Sequence, residues 1–330
     1  MRLLRYIVTL FKIINGINIQ RKRNQLFLLP YIKSLEKKHN GIFPEQQAKK
    51  IINYYGLFIP SILCTSYKRL NAKKLTNDER KRVSLLGILT PVGDDLFDID
   101  KLDAESIRTI TFAPETYGAH TFSSSVAKEI QSYLLQNVPN KKEYTEASGN
   151  VFEIQLETIR QTDPSISNHE IEKITYAKGG YSVILYYQTL DEAASAEMLK
   201  VLFHIGSLMQ LANDCLDIYK DINDGIYTLA NRCNDYRELK RIFLQRVKET
   251  NRLISALPHN KLRKQEFSVV MYFIIARGLV AIEQMIKLQR KLKAPVDCLK
   301  AERSQLITDM EKPKNIIKWL CYTYKLSRLK

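Results

Sequence analysis

Helical periodicity constrains this chain more than any other feature. Apolar residues recur at spacings of three and four through windows at 45–56, 82–93, 122–137, 142–161, 167–188, 191–222, 233–256, 261–292 and 298–328, while alternating strand patterns are scarce. Pro60, Pro91, Pro114, Pro139, Pro164, Pro258 and Pro295 punctuate the pattern as expected helix breaks. Ser167 stands three residues before Glu170, which predicts a capping box at the start of the 167–188 helix. No repeat period and no domain-dividing loop is visible. The expectation is one all-α domain over residues 1–330, a bundle of roughly ten helices.

Two local features qualify that picture. Gly179 and Gly180 sit inside the 167–188 window, where a glycine pair costs about 2 kcal/mol relative to alanine. The pair implies either a break in the helix or a close approach of another backbone. Residues 1–45 form a basic segment whose apolar run, Tyr6 to Phe11, is cut by Lys12 and followed by no small-x-small cleavage site. It reads as an amphipathic helix that either packs on the core or touches a membrane surface.

Composition removes several classes. The mean hydropathy is −0.25 and no run of 18 uncharged apolar residues occurs, which excludes a multi-span membrane protein. Cys64, Cys215, Cys233, Cys298 and Cys321 are odd in number and never form CxxC, a pattern suited to a reducing, cytoplasmic setting. The 51 Lys and Arg exceed the 35 Asp and Glu to give +16, yet they are dispersed over many helices without a nucleic-acid-binding motif. A positive surface that steers an anionic substrate or meets anionic lipid at the inner membrane surface fits better.

The chemistry concentrates in acids that interrupt apolar stretches. Leu85 to Gly93 is uncharged and runs directly into Asp94, Asp95 and Asp98. Asp94 and Asp98 are four apart and share a helix face, so they repel unless a cation lies between them. Alone, this string fits a cation site or a solvated helix terminus equally well. The other string is sharper: Asn213, Asp217 and Asp221 recur at four-residue intervals and line one stripe, emerging from the apolar Leu211-Ala212 without a polar transition. Oxygen ligands on successive turns suit Mg²⁺. The five histidines are scattered, and His204 on an apolar face reads as a core residue.

Together, Asp94-Asp95-x-x-Asp98 and, about 120 positions on, Asn213-Asp214-x-x-Asp217-x-x-Lys220-Asp221 resemble the class I isoprenoid (terpenoid) synthase superfamily. The aspartate string at 94–98 matches the family's DDxxD motif. The string at 213–221 is similar to the NDxxSxxxE triad of terpene synthases, with Asp217 for Ser or Thr and Asp221 for Glu. Gly206-x-x-Met209-Gln210-x-x-Asn213-Asp214 is similar to the GxxFQxxDD string of chain-elongating prenyl diphosphate synthases. Asp217, Asp221, Gly225 and Tyr227 resemble the spacing in squalene and phytoene synthases.

The resemblance implies an all-α fold around a central cavity, with Mg²⁺ as cofactor and a prenyl diphosphate as substrate. It makes Asp94, Asp95, Asp98, Asn213, Asp214, Asp217 and Asp221 metal-binding and Lys178, Lys220, Arg160 and Arg232 diphosphate-binding. Leu89, Thr90, Gly179 and Gly180 would line the pocket, and the family's helix break would fall at the glycine pair. The arginine pair and basic N-terminal motif of elongating enzymes are absent. The expected activity is therefore a terpene synthase acting on one allylic diphosphate. A prenyltransferase, elongating or head-to-head, and a catalytically silent helical binding protein are the alternatives, and a homodimer is compatible with each.

Overall fold

The computed structural model describes residues 3–328, and every regular element among them is helical, with no strand. The chain gathers into two compact units. One comprises Ile7–Phe152 with Leu185–Ala194; the other comprises the segment up to Tyr6, Glu153–Ile184 and the chain from Ser195 on.

Helix α1 (Leu3–Arg23), whose residues from Ile7 on belong to the first unit, continues through a π-helical turn at Asn24–Leu28 into Leu29–Lys38. The expected break at Pro60 is absent. From Glu45 to Leu70 the chain stays helical, with π-helical turns at Ile51–Tyr55 and Ile59–Cys64, and Pro60 lies in the latter. The Thr65 hydroxyl takes the Pro60 carbonyl at 2.7 Å, so an acceptor disturbed by the wide turn finds a side-chain donor. Helix α2 (Asn77–Asp98) likewise runs through Pro91, beyond the expected end at 93. Its start is fixed by a capping box: the Thr76 hydroxyl accepts from Glu79 N at 3.2 Å, and Glu79 accepts from Thr76 N at 2.8 Å. Helices α3 (Phe122–Asn137) and α4 (Lys141–Thr158) follow, and α3 packs on α2. A helix at Ala104–Phe112, capped by Asp103, was not anticipated from periodicity.

This unit holds a buried ionic cluster. Lys68 Nζ donates to Glu79 and to Glu192, each at 2.6 Å. Burial alone would push Glu79 up, but hydrogen bonds from Asp191 N, Lys68 and Thr76 N hold its carboxyl below the usual range. Arg82 donates to the Thr189 carbonyl at 2.7 Å and pairs with Asp191, tying the same short loop to α2.

The second unit centres on α5 (Asn168–Gln188), α6 (Ala196–Leu216), α7 (Ile218–Asn223), α8 (Tyr236–Ala256), α9 (Lys261–Leu292) and α10 (Pro313–Leu326). The predicted capping box is present: Ser167 Oγ accepts from Glu170 N at 3.2 Å, and Glu170 accepts from Ser167 N at 3.1 Å. Helix α9 is long and apolar enough to cross a membrane, but 72% of its apolar window is buried against its neighbours. It packs on α6, α8 and α10. The window at 298–328 is two helices rather than one, because Pro313 starts α10 at a position where its missing N–H costs nothing.

Of the two readings of Gly179-Gly180, a break and a close backbone approach, the break is not found: α5 is continuous from Asn168 to Gln188. The glycines serve a helix crossing instead. A Cβ on Gly179 would lie 2.2 Å from the Gly206 carbonyl oxygen, and one on Gly180 would lie 2.4 Å from the Phe203 ring. Helices α5 and α6 therefore touch backbone to backbone, which only glycine at both 179 and 206 permits. Ser207 locks the crossing by donating to the Tyr176 carbonyl at 2.9 Å.

Candidate functional site

The two acidic strings fall in different units, and each is a separate acidic cluster. In the first, Asp94, Asp95 and Asp98 occupy the last two turns of α2, and no basic residue lies in the final turn. Carboxylates there face the negative end of the helix dipole as well as one another. Gln47 Nε2 donates to Asp95 Oδ2 and also approaches the Pro91 carbonyl at 3.4 Å. Burial pushes the Asp95 carboxyl up, Asp94 adds to this, and the Lys50 ammonium works against it. The field of Asp94 also reaches the hydroxyls of half-buried Tyr55 and buried Tyr186, which are held well above the ordinary phenol range chiefly by loss of solvent. Asp98 is exposed. Gln47 and Lys50, from the helix Glu45–Lys50, were not singled out in the sequence; nothing in a short polar run marks them as neighbours of Asp95.

The two residues of this unit that the resemblance would place in a pocket divide. Leu89 is half-buried, whereas the Thr90 hydroxyl is engaged by the Leu86 carbonyl and by Tyr186 Oη, both at 2.8 Å. Thr90 therefore orients Tyr186 near the aspartates.

The other cluster lies across the junction of α6 and α7. The expected helix at 191–222 starts later, at Ala196, and is interrupted at Asp217, whose backbone (φ −98°, ψ 12°) leaves the helical region. The i to i+4 amide bonds persist: Asp217 N reaches Asn213 O at 2.9 Å and Asp221 N reaches Asp217 O at 2.8 Å. Asn213 Nδ2 also donates to Asp217 Oδ2 at 3.0 Å, which directs the amide oxygen away from its carboxylate neighbour. Gly225, at φ +68°, closes α7 in the left-handed conformation, and Ile226 N returns to Asp221 O at 2.7 Å.

Asp214 is turned inward rather than along the stripe. Its oxygens accept from Gln210 Nε2 at 2.8 Å and from Thr175 Oγ1 at 3.2 Å, so α5 and α6 share it. Burial raises its carboxyl to about 6, with both hydrogen bonds and the Lys178 charge opposing. Asp221 is pushed up to about 7 by burial and by the charges of Asp214 and Asp217, with Lys220 opposing. Burial is the main cause at both carboxyls, and the neighbouring carboxylates add to it.

The basic candidates separate. Lys178 and Lys220 act electrostatically on this acidic cluster, and Lys220 also pairs with Asp224 at 2.8 Å. Arg160 is exposed and paired with Glu170 of the capping box. Arg232 donates to the Ile166 carbonyl at 2.6 Å and lies over the Tyr227 ring, clamping the loop before α5. Both arginines thus have structural partners that account for them. His204 is half-buried, and burial together with Arg246 lowers its proton affinity, in keeping with a core role.

The donor set fits Mg²⁺: carboxylate and amide oxygens on successive turns, with carboxyls whose raised proton affinity a cation would relieve. Among the described residues, no three His, Cys, Asp or Glu side chains converge into a protein-only metal cage. Mg²⁺ is ordinarily held by one or two carboxylates together with water and substrate phosphates. No family model matches this chain, and no curated protein matches it.

Proposed function

We propose that this chain is a class I terpene synthase, which ionises one allylic prenyl diphosphate, releases diphosphate and forms a terpene hydrocarbon or alcohol. The observation that carries the reading is the stripe of Asn213, Asp217 and Asp221 across the α6–α7 junction, backed by the buried Asp214. A solvated helix surface does not require an aspartate 4% exposed behind it and another 8% exposed on it. Asn213, Asp217 and Asp221, and in the other unit Asp94, Asp95 and Asp98, would hold Mg²⁺. When bound, the ion supplies neutralisation of charge on the departing diphosphate.

The chain's own residues contribute the rest. Lys178 and Lys220 place ammonium groups beside the acidic stripe, where they attract an anionic substrate. Asp214 acts as a positioning residue: held by Thr175 and Gln210, it fixes the turn that carries Asn213. Gln47 orients Asp95 in the same manner.

Product analysis tests the reading. Purified protein is incubated with allylic diphosphates of increasing chain length, with and without isopentenyl diphosphate. The proposal expects a hydrocarbon or alcohol from one allylic substrate alone, unchanged by isopentenyl diphosphate. A longer prenyl diphosphate would replace it with chain elongation, a head-to-head product with a squalene-like synthase, and no turnover with a silent binding protein.

A further inference from the structure

Helix α1 has two faces of opposite character. Tyr6, Thr9, Ile13 and Gln20, spaced along one side, are buried. Tyr6 Oη donates to the Leu320 carbonyl at 2.7 Å, and its ring meets Tyr324 edge-on at 5.2 Å. Gln20 Nε2 donates to the Gly56 carbonyl at 3.2 Å. The helix is therefore fixed by its inner face. Its outer face is apolar: Leu4 is 71% and Phe11 68% exposed, with Ile7 and Ile14 on the same stripe and Leu3 and Val8 beside it. None of these side chains is needed to attach the helix, so a row of large apolar groups faces water without a folding role.

Charge decides what covers this row. Seven Lys and Arg precede Glu36, the first acidic residue of the chain. Arg21 and Lys22 continue the apolar stripe two turns beyond Ile14, and Arg5 and Lys12 flank it. A second copy of the chain laid against this face would bring two positive arrays together. An apolar row bordered along one edge and at its end by cationic side chains is complementary to a surface with anionic groups outside and hydrocarbon beneath.

We propose that the outer face of α1 binds the surface of an anionic lipid bilayer. Leu4, Ile7, Phe11 and Ile14 enter the boundary between headgroups and acyl chains, and Arg5, Lys12, Arg21 and Lys22 lie at the lipid phosphates. This holds whether or not the chain is a terpene synthase, because no residue of α1 belongs to either acidic cluster.

The test is cosedimentation of the full chain with vesicles of phosphatidylcholine alone and of phosphatidylcholine mixed with phosphatidylglycerol. Binding to the anionic vesicles should be at least about tenfold tighter and should weaken with added salt. Phe11→Asp and, separately, Ile14→Asp should each lower it about tenfold while the circular dichroism spectrum is unchanged. The reversal Lys12→Glu with Arg21→Glu should remove the preference for phosphatidylglycerol. Equal binding to neutral vesicles, no binding, or full binding by the folded variants would overturn the proposal. So would light scattering that shows a dimer dissolved by Phe11→Asp in a chain that ignores vesicles, which would assign the face to a second copy.

Discussion

Alanine at Gly179 probes the crossing on which the acidic cluster of the α6–α7 junction is built. The new Cβ would stand 2.2 Å from the Gly206 carbonyl oxygen, whereas ordinary contact begins at 3.4 Å, so the helices must separate by about 1 Å. Backbone cannot rotate out of the way as a side chain can, which places the overpacking cost near the upper end of its usual range, about 3 kcal/mol. The better helix propensity of alanine returns about 1 kcal/mol, leaving a net loss of about 2 kcal/mol. Gly16→Ala in α1 is the matched control: its Cβ would meet only the Ser61 carbonyl, at 3.7 Å, so the substitution should be neutral or stabilise by up to about 1 kcal/mol. Urea denaturation followed by far-ultraviolet circular dichroism measures both. The same opening would lengthen the 3.2 Å bond from Thr175 to Asp214, so activity should fall in Gly179→Ala and not in Gly16→Ala. A Gly179→Ala protein as stable as the parent would show that α5 and α6 do not touch here.

Other perturbations have defined outcomes. Asp214 and Asp221 are raised to about 6 and about 7, above their unfolded values, so the stability they contribute is fully present below about pH 4 and lost as pH rises through 6 to 7. The stability difference between Asp221→Asn and the parent, read from thermal melts, should therefore grow by a few kcal/mol between pH 4 and pH 8, in favour of the variant. A difference independent of pH would contradict the burial of that carboxyl. Lys68→Ala leaves Glu79 buried without its cation and should cost about 3–5 kcal/mol, while Lys73→Ala, whose ammonium meets Glu192 from an exposed position, should cost less than about 1 kcal/mol; denaturant midpoints compare the two.

Much of the helical framework is legible in the sequence because it depends on local rules. The Ser167–Glu170 capping box is contained within four residues and appears as read. Proline is less legible. Pro60 and Pro91 lie inside helices, and Pro313 starts one; the distinction depends on whether neighbouring groups such as Thr65 serve the disturbed backbone. The glycine pair shows a similar limit, since its reason is Gly206, a residue of another helix. In the candidate site, the four-residue spacing of Asn213, Asp217 and Asp221 follows from the sequence, whereas the interruption of the helix at Asp217 needs the fold. The inward turn of Asp214 does not, because its partner Thr175 comes from α5. The partners of Arg160 and Arg232, Glu170 and the Ile166 carbonyl, are likewise invisible without the fold.

Diphosphate release from an allylic prenyl diphosphate, followed with and without Mg²⁺, tests the central claim most directly. The account predicts release that requires the ion and falls at least about a hundredfold in Asp95→Ala and in Asn213→Ala, with both variants folded. Release that persists in chelator, or that either variant sustains at the parent rate, would contradict it.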